Sequence, residues 1–252
     1  MKVKQLNRKK LSSKDRLIIS IDVNTKNEVI NLCKKISGRV TTLKIGLELI
    51  YSAGLSIIDT VKSFGYRVML DSKLLDIPNT VKSAAEAISK LGVNAMTIHA
   101  LGGKQMLAGA REAVEKQAKS QTRLKPLLFG VTILTSLDNK DLENLGFKEN
   151  FYNSVLNLSK IAVESGMDGI VCSPNEVEPV RKILGNDFYI ATPGIRLPED
   201  EAGDQKRVST PGEAILKGAD FIIVGRPITA KKDVARAIDR YLEEIEKAVV
   251  ND

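Results

Sequence analysis

Asp71, Lys73 and Asp76 place an acid, a base and an acid within six residues. They follow the apolar run Tyr66-Arg67-Val68-Met69-Leu70, which reads as a buried strand. They precede Ile77-Pro78-Asn79-Thr80, where Pro78 suits the first turn of a helix. Residues two apart on a strand share a face and stand roughly 7 Å apart, so Asp71 and Lys73 are expected to project together. Lysine brings three donatable protons. A charged trio at a strand exit lies where α/β proteins keep their chemistry. Read generically, the same string is a surface ion pair ahead of a helix start, worth little to stability.

Other reactive side chains end other apolar runs. Asp22 follows Ser20-Ile21, and Lys44 sits in Leu43-Lys44-Ile45-Gly46. Near the C-terminus, Pro193-Gly194-Ile195-Arg196 and Gly225-Arg226-Pro227 each pair a glycine with an arginine. Glycine lets backbone N–H groups approach an anion, and arginine offers a planar fork. His99, the single histidine, ends the run Thr97-Ile98-His99 and reads as a hydrogen-bonded structural residue. Gly102-Gly103-Lys104 is too short for a phosphate-loop signature.

These residues need elements to bring them together. Strands are expected near 16–22, 40–46, 66–71, 94–98, 126–132, 168–173, 188–192 and 220–224. Helices are expected near 25–37, 48–64, 78–91, 104–119, 151–166, 175–184, 211–217 and 232–248. Alternating strands and helices call for a parallel sheet, and near-continuous apolar strands fit one covered on both faces. The chain has 252 residues, close to the roughly 250 of a (β/α)8 barrel. The predicted fold class is α/β, a single (β/α)8 TIM barrel over residues 16–252, with a doubly wound open sheet as the alternative. In the barrel, strand exits share one end: Asp22 leaves strand one, Lys44 strand two, and Asp71 and Lys73 strand three, so Lys44, Asp71, Lys73 and Asp76 are expected to form an alternating constellation. The loops after strands seven and eight, which carry the two glycine-arginine pairs, form a common phosphate site of this fold.

Composition narrows the class. Hydrophobic residues make up 43% and charged residues 27%, which supports a sizeable core rather than disorder. With no tryptophan and 4% aromatics, that core must come from Ile, Leu, Val and Ala. No apolar run approaches the roughly 20 residues of a membrane span, so no membrane role is expected. The net charge of +7 invites a nucleic-acid reading, but seven basic residues and one acid among residues 1–16 account for six of those charges. Residues 1–15 therefore read as a basic leader, and the nearly neutral remainder argues against a nucleic-acid binder. Cys33 and Cys172 read as small buried hydrophobes in a reducing, cytoplasmic setting.

The string Asp-x-Lys-x-x-Asp-Ile-Pro-Asn-Thr over residues 71–80 resembles the signature of the orotidine 5′-phosphate decarboxylase family. Further matches follow in the family's order over about residues 16 to 230. They are Ser20-Ile21-Asp22, Leu43-Lys44-Ile45-Gly46, Thr97-Ile98-His99-Ala100, Val131-Thr132-Ile133-Leu134-Thr135-Ser136, Thr192-Pro193-Gly194-Ile195-Arg196, Gly203-Asp204-Gln205 and Val224-Gly225-Arg226-Pro227-Ile228-Thr229. The resemblance implies conversion of orotidine 5′-monophosphate to uridine 5′-monophosphate and carbon dioxide, with neither metal nor organic cofactor. It implies Lys73 as proton donor, Asp71 beside the departing carboxylate, and Lys44 and Asp22 at the ribose hydroxyls. Thr135 meets the pyrimidine edge, and Pro193, Arg196, Gln205, Gly225 and Arg226 form the phosphate end, with Gln205 on a closing loop. Asp76 and Thr80 match positions that serve a partner subunit's site, implying a homodimer. A related magnesium-dependent sugar-phosphate decarboxylase or aldolase barrel shares Asp-x-Lys-x-x-Asp and remains the alternative activity.

Overall fold

The runs rich in Ile, Val and Leu form eight strands: β1 (Leu17–Ile21), β2 (Thr42–Ile45), β3 (Arg67–Leu74), β4 (Ala95–His99), β5 (Leu127–Val131), β6 (Gly169–Val171), β7 (Tyr189–Thr192) and β8 (Phe221–Val224). The computed structural model describes residues 10–121, 125–200 and 207–250. All strands pair in parallel and in sequence order, and β8 closes onto β1. Closure excludes the open sheet. Ser20 lies opposite Lys44, and Lys44 opposite Met69, so these positions share a level around the barrel.

Twelve α-helices surround the strands among the described residues: α1 (Ser13–Arg16), α2 (Lys26–Ile36), α3 (Leu47–Ala53), α4 (Ile57–Ser63), α5 (Pro78–Lys90), α6 (Gly103–Gln121), α7 (Asn139–Asn144), α8 (Phe151–Glu164), α9 (Pro174–Leu184), α10 (Pro211–Leu216), α11 (Arg226–Thr229) and α12 (Val234–Val250). Their starts are locally encoded. Thr25 and Glu28 form a capping box on α2, and Thr210 and Glu213 form one on α10. Pro78, Pro174 and Pro211 each open a helix. The single helix expected over 48–64 is two helices, because Gly54 takes φ 73° after α3 and turns the chain. Helices α1, α7 and α11 were not expected, being only four to six residues long.

Apolar residues occupy two zones. One lies between strands and helices, where α12 seats Ile238, Tyr241, Leu242 and Ile245. Burying each such aliphatic side chain contributes about 1.5–3 kcal/mol. The other fills the barrel's lower interior with Ile18, Met69, Phe129, Phe221 and Ile223, and Leu11 joins it from the chain's start. Gly169 is required there, since a Cβ would come within 2.6 Å of the Phe129 ring. Along the inward face, the sequence alternation then turns polar: Ile18 is followed two residues later by Ser20, Met69 by Asp71, and Ala95 by Thr97. Cys33 and Cys172 are buried and unpaired, and burial pushes the Cys33 thiol up to about 11.

Candidate active site

At the level above Met69, the Asp71 carboxylate is almost fully enclosed. Its Oδ2 lies 3.0 Å from Lys44 Nζ and 2.9 Å from Lys73 Nζ. Its Oδ1 accepts a 2.8 Å hydrogen bond from the Thr97 hydroxyl. Burial would raise the Asp71 carboxyl, but the charges of Lys44 and Lys73, and their hydrogen bonds, outweigh it and hold it at about 2. The group is therefore an anion at any ordinary pH.

The contact between Asp71 and Lys73 does not arise from regular strand alternation. β3 runs on to Leu74 instead of stopping at 71, and its register with β4 shifts between Leu70 and Leu74. Lys73 takes φ 46°, a left-handed conformation that costs a non-glycine residue on the order of 1–3 kcal/mol. Its backbone N–H donates 2.9 Å to Thr97 Oγ1. The bulge brings the ammonium back onto Asp71, where an ideal strand would leave the two side chains parallel.

Asp22 stands at the β1 exit and accepts a 2.7 Å hydrogen bond from Ser20 Oγ. Gly225 leaves room for it: a Cβ there would lie 2.5 Å from Asp22 Oδ2. A cavity of about 420 Å³ opens over this array. Asp22, Lys44, Asp71 and Lys73 line one part of it, and Thr135, Pro193, Arg196, Gly225 and Arg226 line the rest. Nine expected site residues thus share one hollow of a size suited to a small ligand. Asp76 and Thr80 do not line it. Asp76 is exposed, and its Oδ1 accepts the Ile77 N–H at 2.6 Å. Gln205 lies outside the described residues.

Thr97 and Ser20 were not expected as site residues. Period-two alternation gave a signal, since Ser20 lies two residues before Asp22 on one strand, Thr97 shares the inward face of its own, and a buried hydroxyl needs partners. His99 is buried, and its Nδ1 accepts the Leu101 N–H at 3.4 Å. Burial, and then the charge of Lys73, lower its pKa, which favours the neutral imidazole. Among the described residues, no three His, Cys, Asp or Glu side chains group so as to hold a metal ion, and no helix is long and apolar enough to cross a membrane. A smaller hollow of about 280 Å³ lies between Leu197–Asp200 and α12. Its carboxylates are tied to structure: Asp200 to Lys231 at 2.9 Å and to the Tyr241 hydroxyl at 2.7 Å, and Glu199 to Arg240.

The model of the orotidine 5′-phosphate decarboxylase / HUMPS family matches residues 15–241. The chain belongs to this family. It is 43% identical over 232 residues to the orotidine 5′-phosphate decarboxylase of Carboxydothermus hydrogenoformans, covering 92% of this chain and 96% of that one. It is 42% identical to the enzyme of that name from Nostoc, covering 94% of this chain and 100% of the other. The crystal structure of orotidine 5′-phosphate decarboxylase from Lactobacillus acidophilus superposes with a TM-score of 0.81 at 35% identity, over 92% of this chain and 99% of that one. Membership in the orotidine 5′-phosphate decarboxylase family rests on nearly the whole barrel, including every strand that lines the cavity.

Proposed function

We propose that this chain decarboxylates orotidine 5′-monophosphate to uridine 5′-monophosphate, as the last step of pyrimidine nucleotide synthesis in the cytoplasm. The observation that carries the reading is Asp71 Oδ2 shared by the ammonium groups of Lys44 and Lys73 beneath a cavity that Arg196 and Arg226 also line. When the bond between ring carbon six and the carboxylate breaks, its electron pair stays on that carbon and carbon dioxide departs. Lys73 Nζ stabilises the developing charge and transfers a proton to the carbon, and solvent then reprotonates the amine. Charges fixed in advance by the fold do this without reorganising at the moment of reaction. Asp71 holds the two ammonium groups in place and stands beside the departing carboxylate. Asp22 and Lys44 position the ribose, and Thr135 the pyrimidine edge. Pro193, Arg196, Gly225, Arg226 and Gln205 hold the phosphate, whose binding energy keeps the substrate registered on the array.

In the same reading, Asp76 and Thr80 complete the site of a second copy. Two facts support this: neither lines its own cavity, and the neighbours of Asp76, Leu75 and Ile77, are 52% and 68% exposed. Such side chains at a loop tip favour cover by another surface. The activity is tested by the ultraviolet absorbance change when orotidine 5′-monophosphate is added to protein in excess chelator. No change, or a change only after magnesium is restored, rejects the reading. Subunit sharing is tested by mixing Asp76→Ala with Lys73→Ala under exchange conditions. Activity should return in part, because one site of the mixed dimer carries neither lesion.

A further inference from the structure

Arg207 lies at the return of the loop after β7, far in sequence from the rest of its surroundings. Its Nη1 donates 2.7 Å to Glu176 Oε1, and its Nη2 donates 3.2 Å to the Leu134 carbonyl. Its guanidinium carbon stands 3.8 Å from the centre of the Phe151 ring at the start of α8. The side chains of Arg207 and Glu176 are only 15% and 7% exposed, so this is an enclosed pair rather than a surface bridge. The other Glu176 oxygen accepts the Ser173 N–H at 2.7 Å at the start of α9. One guanidinium therefore ties the segments that follow β5, β6 and β7.

Those segments carry the two ends of the cavity. Leu134, Thr135 and Ser136 line it on the β5 side. On the β7 side, Ile195 bridges Ser209, and the Arg196 N–H donates 3.0 Å to the Ser209 carbonyl. Arg207 is two residues from that bridge. Its planar fork sets a fixed spacing between the Thr135 rim and the Arg196 rim, which a single-point ammonium would not do.

We propose that Arg207, with Glu176, is a positioning residue that holds the pyrimidine rim and the phosphate rim at a fixed separation for decarboxylation. The inference rests on the substrate reading given above. A substrate that grips both rims depends on their spacing. One that lacks the phosphate grips a single rim and depends on it much less.

The test compares kcat/KM for orotidine 5′-monophosphate and for orotidine in the wild type, Arg207→Ala and Arg207→Lys. A misplacement of about 1 Å costs on the order of 100-fold, so Arg207→Ala should lose about that factor on the phosphorylated substrate and less than about threefold on orotidine. Arg207→Lys retains the charge facing Glu176 but not the fork, and should fall between. It also serves if the alanine variant does not fold. Equal losses on both substrates mean a general structural role and overturn the inference, as does no loss on either. Hydrogen exchange in the absence of substrate separates this from a failure of the substrate reading. Arg207→Ala should speed exchange at amides 133–137 and 194–196 while leaving β7 and β8 protected. If wild type does not turn over orotidine 5′-monophosphate, the substrate reading fails on its own, and unchanged exchange at these amides then rejects the staple.

Discussion

The barrel buries carboxylates beside cations at both ends, and the two ends use them differently. At the floor, Asp220 is 1% exposed and receives the Ile190 N–H at 2.8 Å and Arg181 Nη2 at 2.5 Å. Arg181 also donates to the carbonyls of Gly218 and Phe188. Asp168 repeats the device, accepting the Leu128 N–H and Arg111 Nη2, while Arg111 donates to the Gly166 carbonyl. Each floor aspartate thus joins a helix arginine to the start of a strand. At the opposite end, Asp71 receives side-chain donors: two ammonium groups and one hydroxyl. Those ammonium groups face open space, and the backbone beneath one of them is strained.

Burial and ion pairing are therefore shared by the two ends and do not mark the reactive one. The cation does, together with the space above it. Arginine cannot give up a proton in a protein and fastens backbone through a rigid fork, whereas lysine can transfer one. Strain at Lys73 is sustained because Thr97 and Asp71 hold the residue from two sides.

Substitutions at the two ends should separate activity from stability. The largest effect is expected from Lys73→Ala. Turnover of orotidine 5′-monophosphate should fall by at least about a thousandfold, roughly 4 kcal/mol in barrier, with an unchanged circular dichroism spectrum. A loss below about tenfold would remove Lys73 from the role of proton donor.

Asp220→Ala should act in the opposite sense. Leaving Arg181 without its buried partner should cost about 3–5 kcal/mol in urea unfolding. The fraction that remains folded should keep the wild-type kcat. A drop in kcat at full folding would mean that the floor also tunes the reactive end.

Thr97→Val removes the donor to Asp71 and the acceptor for the Lys73 N–H. A lost hydrogen bond to a charged group is worth about 1.5–3 kcal/mol, so kcat/KM should fall roughly 10- to 100-fold. Thr97→Ser keeps both bonds and should stay near wild type. If Thr97→Val stays near wild type, the hydroxyl does not set the position of Asp71 and Lys73.

The smallest effect concerns acid. The Asp71 carboxyl lies below its ordinary value of 3.8, at about 2 in the folded protein, so its ionised form stabilises the fold above the ordinary value. That contribution should be lost progressively as pH falls from 3.8 towards 2. Asp71→Asn should flatten this part of the stability profile in urea titrations taken at each pH. An unchanged slope would place the acid sensitivity at other carboxylates.

The eight strands to within a few residues, their parallel order and the helix start at Pro78 were legible in the residues alone, as were the helices that Pro174 and Pro211 open to within a residue. These follow from apolar runs, capping side chains and proline geometry, which act over a few neighbouring residues. The sequence also singled out Lys44, Asp71, Lys73 and Asp76 as a set, because the exits of parallel strands meet at one end; the first three do meet, with Asp22 beside them, whereas Asp76 lies outside the cavity they line. The tertiary structure alone decided how they touch. The bulge that brings Lys73 onto Asp71 depends on register with β4, and the hydroxyl that orients Asp71 comes from Thr97, 26 residues away. That Asp76 does not line the cavity of its own chain likewise followed from how the chain packs. Arg207 meets Glu176 across 31 residues and Leu134 across 73. A hydrogen bond needs an atom within about 3 Å at a suitable angle, and only barrel closure sets such distances between segments far apart in the chain.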